Sequence, residues 1–238
     1  MQGLAENTNK IFEAVSKLNC IKDYTLIGGT AISLQIGKRL SEDLDFCKWS
    51  KNLKTDKPIV DWPVIEKELK TIGNIDSRDI LGFDQVNFIV SGVKISFLTK
   101  QENLSPVNNV VPILNNIKVA DLDSLGAMKV ELLLRRSVWR DYYDIFSLLM
   151  EGKSLKSMID GASVYSNRRL KTRDALNFLS NGKNYKKEKD FQLLNPAYDV
   201  DNNAIEKLIK ATILKEFMEN IPSMEQINKK NKDRGISM

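Results

Sequence analysis

One stretch constrains this chain more than any other: Leu26-Ile27-Gly28-Gly29-Thr30-Ala31, followed thirteen residues after Thr30 by Asp43-Leu44-Asp45-Phe46. An apolar run that ends in two glycines turns sharply, because glycine accepts positive φ and lets the backbone approach a ligand closely. Beyond the turn, Ala31, Ile32, Leu34 and Ile36 predict a short helix. Its free N–H groups and positive dipole end would face whatever sits above the glycines. On a strand, the period of two sends Asp43 and Asp45 to one face and Leu44 and Phe46 to the other. Two carboxylates on one face repel unless a cation lies between them or one is protonated. Asp-x-Asp alone reads as a polar strand edge; with the glycine turn upstream it reads as a site for a hard divalent cation. Magnesium (Mg2+), which takes oxygen ligands and carries substrate phosphates, is the expected ion. The whole layout is that of a site holding a nucleoside triphosphate through metal.

Composition narrows the chemistry. The 238 residues include no histidine, which excludes imidazole bases, His-activated nucleophiles and His-ligated zinc. Carboxylates, lysine, hydroxyls and bound metal remain. Cys20 and Cys47 give neither a disulfide framework nor metal-ligand spacing, so a reducing compartment is expected. No stretch approaches the roughly 20 apolar residues of a membrane span, and the N-terminus lacks the pattern of a signal peptide. A soluble, cytoplasmic protein with no membrane partner is expected. The net charge of +5 is uneven: residues 1–118 carry 15 Lys and Arg against 14 Asp and Glu, and residues 119–238 carry 21 against 17. Between Asn167 and Lys189 stand Arg168, Arg169, Lys171, Arg173, Lys183, Lys186, Lys187 and Lys189 against Asp174 and Glu188. Such a cluster is either an electrostatic footprint for nucleic acid or a solvated basic face.

Along the chain, residues 7–18 read as a packing helix capped by Asn7 or Thr8, and Tyr24–Ile27 as a short strand. Residues 50–62 form a polar loop before a helix near 63–72. Strands near Gln85–Val90 and Val93–Leu98 are joined by Ser91-Gly92 as a hairpin. On the second strand, Lys94, Ser96 and Leu98 share the face opposite Val93, Ile95 and Phe97. Residues 101–117 read as a connector, with a domain boundary at 118. Asp121–Met150 is helical in pattern. Unbroken, it brings Lys129, Arg136 and Arg140 within roughly 40° of one another; broken near Ser137, it gives Asp141 and Asp144 a common face. Leu155–Val164, Lys171–Leu179 and Ala204–Asn220 continue as helices. The segment Lys183–Asp190 and the tail from Asn228 read as loose and polar.

Gly28-Gly29-Thr30-Ala31, Arg39-Leu40-Ser41-Glu42-Asp43-Leu44-Asp45-Phe46, and Lys129 with Arg136 and Arg140-Asp141-Tyr142-Tyr143-Asp144 together resemble the AbiEii-type nucleotidyltransferase toxins of abortive-infection and toxin–antitoxin systems. The resemblance implies an α+β fold: a nucleotidyltransferase-like mixed sheet flanked by helices over residues 1–118, then a C-terminal helical bundle over 119–238 that completes the cleft. It implies magnesium on Asp43 and Asp45, and a nucleotide-binding set of Gly28, Gly29, Thr30, Arg39, Lys129, Arg136 and Arg140. Gly29 and Thr30 would hold phosphates, Lys129 the triphosphate, and Asp141 would be the late acidic residue required for activity, with Asp144 its nearby substitute. The implied reaction moves NMP from an NTP to an acceptor hydroxyl, by analogy on RNA and on a tRNA end, in a toxin restrained by an antitoxin protein. One departure stands out: Ser96 occupies the expected position of a third carboxylate, an acid that family members can lack; either Asp84 or Asp141 completes the site, or two carboxylates with waters and phosphates hold the metal. A catalytically inert nucleotide- or RNA-binding module, or one that engages the antitoxin, is the alternative that Ser96 motivates.

Overall fold

The computed structural model describes residues 1–50, 59–186 and 188–218; the polar loop over 51–58, Lys187, and the tail from Asn228 lie outside them. Seven strands form one sheet: β1 (Thr25–Ile27), β2 (Leu44–Ser50), β3 (Ile75–Ile80), β4 (Gln85–Val90), β5 (Val93–Gln101), β6 (Val110–Leu114) and β7 (Ile117–Ala120). Their spatial order is β3-β4-β5-β2-β1-β7-β6. The sheet is mixed: β1 runs antiparallel to β2, while β2 pairs parallel to β5 and β1 parallel to β7. The helices are α1 (Glu6–Ser16), α2 (Gly28–Ile36), α3 (Trp62–Leu69), α4 (Leu122–Leu132), α5 (Trp139–Met150), α6 (Leu155–Tyr165), α7 (Thr172–Leu179) and α8 (Asn202–Ile213).

The pleat separates core from site. Leu44 and Phe46 on β2, with Ile95 and Phe97 on β5, are buried. Phe46 stacks on Phe97 at 5.4 Å between centroids, and Tyr24 meets the Phe97 ring edge-on at 5.3 Å. The intervening residues Asp45 and Ser96 are cross-strand partners, so both point to the opposite face. That face becomes the floor of a cleft.

The structure departs from the sequence reading at both sheet edges and over 183–190, and follows the broken-helix alternative for 121–150. The connector expected over 101–117 contains β6, and the boundary expected at 118 falls inside β7, so the sheet continues to Ala120. Edge position explains why β6 is hard to read: it tolerates Pro112 and leaves Val110 and Val111 exposed. At the other edge, β3 (Ile-Asp-Ser-Arg-Asp-Ile) is mostly exposed and carries no apolar alternation. The helical pattern of 121–150 breaks into α4 and α5 because Val138 is extended and bridges Lys186. Finally, the described part of 183–190 is packed: the Trp139 N–H donates to the Lys186 carbonyl at 2.9 Å, and Tyr185 stacks on Tyr142 at 3.7 Å.

The helices behind the cleft approach closely through small residues. A Cβ at Gly126 of α4 would lie 2.7 Å from Met158 Cγ of α6, and one at Gly161 of α6 would lie 2.8 Å from Ala127 Cβ of α4. Both contacts are shorter than packed carbons allow, so added volume has to push the helices apart. Gly161→Leu is expected to lower the unfolding free energy by about 1–3 kcal/mol through overpacking, measured as a reduced urea midpoint with unchanged slope.

Candidate active site

The glycine turn takes its shape from what lies against it. Gly28 has φ +74°, and a Cβ there would lie 2.7 Å from Asp45 Oδ2; a Cβ at Gly29 would lie 2.4 Å from Arg39 Nη2. The two glycines therefore admit a carboxylate and a guanidinium to the N-terminal end of α2. Thr30 turns away from the cleft. It is buried, its hydroxyl donates to the Asp43 carbonyl, and its Oγ1 lies 2.9 Å from Ser41 Oγ. Its side chain thus braces the loop that carries Asp43 and does not line the cleft.

The cleft has a volume of about 560 Å³ and lies between the sheet and the first helices of the C-terminal half. Gly28, Gly29, Asp43, Asp45 and Ser96 line one part of it, with Lys94 on β5. Lys129, Arg135, Arg136 and Arg140 come from the helical side, and Tyr165 of α6 also lines it. Seven basic side chains against four acidic ones line the walls, which favours a polyanionic ligand. Burial and the neighbouring charge of Asp43 push the Asp45 carboxyl up; the Ser96 hydroxyl, Lys94 and Lys129 act in the opposite direction. This donor set fits a hard divalent cation: oxygen ligands only, and a crowded carboxylate pair whose repulsion such an ion relieves. Asp84 also lines the cleft, whereas Asp141 does not.

Behind the wall lies an ion cluster built on two buried carboxylates. Lys129 Nζ donates to Asp141 Oδ1 at 2.8 Å and sits 2.7 Å from Asp144 Oδ2. Arg39 forks onto Asp144 through Nε at 2.7 Å and Nη2 at 2.8 Å. Arg136 forks onto Asp141 through Nε at 2.7 Å and Nη2 at 3.0 Å. Asp141 is 0% exposed and Asp144 1%, so neither carboxylate reaches the cleft, while the three cations they hold all line it. Burial opposes charge on Lys129, but Asp141 and Asp144 outweigh it and hold the amine above its ordinary range. Burial likewise acts to raise both carboxyls; Lys129 and Arg136 hold Asp141 low, and Arg39 and Lys129 hold Asp144 low. Arg140 is engaged elsewhere, with Nε donating to Glu188 Oε1 at 2.7 Å.

A model of the nucleotidyl transferase AbiEii toxin family, of type IV toxin–antitoxin systems, matches residues 11–225. The chain belongs to that family. It is also 28% identical over 166 residues to an uncharacterized protein of Aquifex aeolicus (strain VF5), spanning 66% of this chain and 73% of the relative. Among solved structures, the Megavirus polyadenylate synthase aligns with TM-score 0.41 and 13% identity over 60% of this chain. The chain spans 31% of that viral protein's length.

For this AbiEii family member, the motifs read from sequence meet in one region, though in two layers. Gly28, Gly29, Arg39, Asp43, Asp45, Lys129, Arg136 and Arg140 line the cleft; Thr30, Asp141 and Asp144 stand behind it. The sequence reading did not assign Ser41, Lys100, Arg135, Tyr165 or Glu188 to the site. Lys100 continues the period-two face of Lys94, Ser96 and Leu98, a signal available once β5 is extended to Gln101.

Asp144→Asn removes a charge that two buried cations share. It is expected to lower the unfolding free energy at pH 7 by about 3–5 kcal/mol, because a buried cation loses its partner. Both carboxyls titrate lower in the folded than in the unfolded chain. Their stabilisation is therefore complete above about pH 5 and is lost as pH falls through the unfolded range near 4 and into the lower folded values. Urea titrations from pH 7 to pH 3 are expected to show stability falling in the wild type and a shallower fall in Asp144→Asn.

Proposed function

We propose that the cleft transfers a nucleoside monophosphate from an NTP to an acceptor hydroxyl and releases pyrophosphate. The observation that carries this reading is the meeting of Asp43 and Asp45 with Lys129, Arg39 and Arg136 across one cleft, beside a glycine turn. Phosphoryl and nucleotidyl transfer rest on positioning and charge neutralisation, which explains how a histidine-free chain suffices. Asp43 and Asp45 would hold magnesium, which when bound neutralises the α-phosphate and makes the acceptor oxygen a stronger nucleophile. Lys129 and Arg136 offset charge on the β- and γ-phosphates, and Gly28 and Gly29 leave the main chain open to them. Asp141 and Asp144 act as positioning residues, since each holds a cation in the direction the phosphates need.

An RNA acceptor, by family analogy a tRNA end, is supported by the basic excess of the cleft and by exposed Arg168, Arg169, Lys171, Arg173, Lys183, Lys186 and Lys189 in the segment that follows Tyr165. The family name further implies a toxin with a cognate antitoxin protein, and an NTP and RNA substrate suits a site of action in the cytoplasm. One observation favours a second reading, an inert binding module on the same fold. Ser96, and not an acid, stands in register with Asp45.

Incubation with labelled NTPs, magnesium and total RNA separates the two. The wild type is expected to label RNA and release pyrophosphate, and Asp43→Ala/Asp45→Ala to fall by on the order of 10²-fold or more. Equal labelling by both proteins would sink the transfer reading at this site; NTP binding without pyrophosphate release by the wild type would support the inert module. Chelation of divalent ions is expected to abolish wild-type labelling and magnesium to restore it.

A further inference from the structure

The cleft has two electrostatic ends. At one, Asp43, Lys94 and Lys129 act on Asp45. At the other, Lys100 feels Glu131, Arg135 and Asp84. Lys100 follows Ser96 by four residues on β5, so the ends are separated by about 13 Å at ~3.3 Å per residue. Lys100 Nζ lies over the buried Tyr165 ring at 4.4 Å from its centroid, and Trp49 meets that ring edge-on at 6.0 Å. Among the described residues no carboxylate lies within 4 Å of the Lys100 amine, and burial pulls its pKa down. A half-buried cation facing a cleft without an ion-pair partner is a site for an anion. That anion is not the triphosphate of the same nucleotide, whose outer phosphorus atoms are separated by less than half of this distance.

The charge continues outward. Directly after Tyr165 the chain reverses through Asn167 (φ 53°) and Arg168 (φ 61°), leaving Arg168 and Arg169 exposed. Lys100 in the cleft, with exposed Arg168 and Arg169 following Tyr165 in the chain, suits a chain of phosphates better than a small acceptor. We propose that Lys100, seated on Tyr165, grips a backbone phosphodiester of a polynucleotide acceptor whose reacting end lies at Asp43 and Asp45, with Arg168 and Arg169 receiving the next phosphates. This assignment rests on the transfer reading above and adds the subsite that selects a polynucleotide.

The test uses the full chain, magnesium and a fluorescent single-stranded RNA hexamer, read by anisotropy across a salt series without turnover. Lys100→Met, which keeps the stem on Tyr165, is expected to weaken hexamer affinity about five- to tenfold and to reduce the salt slope by about 0.7, one phosphate contact on a single strand. Lys100→Arg is expected to stay within about twofold, because the charge is retained. Arg168→Ala/Arg169→Ala, which alters only exposed side chains, is expected to weaken the hexamer by a similar factor. In the two charge-removing variants, affinity for a fluorescent NTP analogue is expected to stay within about twofold. Unchanged hexamer affinity in both charge-removing variants, as a protein acceptor would give, overturns the subsite, as does a parallel loss of NTP affinity. A wild type that grips the hexamer through Lys100 yet never transfers a nucleotide overturns the transfer reading alone.

Discussion

The ion cluster of Arg39, Lys129 and Arg136 around the buried Asp141 and Asp144 is the interaction on which the rest of the structure depends. Arg39, Lys129, Asp141 and Asp144, joined at 2.7–2.8 Å, cannot be separated without leaving a buried charge unpaired, while the exposed Arg136 adds a fork to Asp141 from the solvent side. Arg39 follows the glycine-led helix, Lys129 belongs to α4, and Asp141 and Asp144 belong to α5. One cluster thus ties the sheet side of the cleft to its helical side. Three cations against two carboxylates leave an excess positive charge on the wall that faces Asp43 and Asp45.

That arrangement divides the labour between layers. The sheet supplies the anionic side through its pleat, with Phe46 and Phe97 sealing one face and Asp45 and Ser96 presented on the other. The helical side supplies Lys129 and Arg136, held from behind by acids that do not touch the cleft, and Lys94 and Lys100 add positive charge from β5. Glycine does its work at the junction, where any Cβ at Gly28 or Gly29 would strike the Asp45 carboxylate or the Arg39 guanidinium. Loss of either glycine would therefore disturb the acid pair and the ion cluster together.

The sequence made much of this legible, because strong local patterns carried it. Period-two alternation at Asp43–Phe46 and Val93–Leu98 revealed the face of each strand, and the helical spacing after Gly29 revealed α2. Edge strands were not legible: β3 is largely polar and β6 contains proline, since neither needs a continuous buried face. The depth of each charge was hidden as well. Asp141 and Asp144 follow the same short-range pattern as surface acids on any helix, and only the tertiary fold surrounds them with Lys129, Arg39 and Arg136. Thr30 illustrates the same point, since a hydroxyl in a phosphate-like turn proved to be bonded to the Asp43 carbonyl. Lys187 and the tail from Asn228 lie outside the described residues.

The central claim is that this cleft moves the α-phosphoryl group, with its nucleoside, onto an acceptor. Parallel reactions with NTP labelled at the α- or the γ-phosphate, in magnesium and with total RNA, test it most directly. Acceptor is expected to gain label only from the α-position, γ-label to leave in pyrophosphate, and both to depend on Asp45. Label reaching the acceptor from the γ-position, or none from either position, would contradict it.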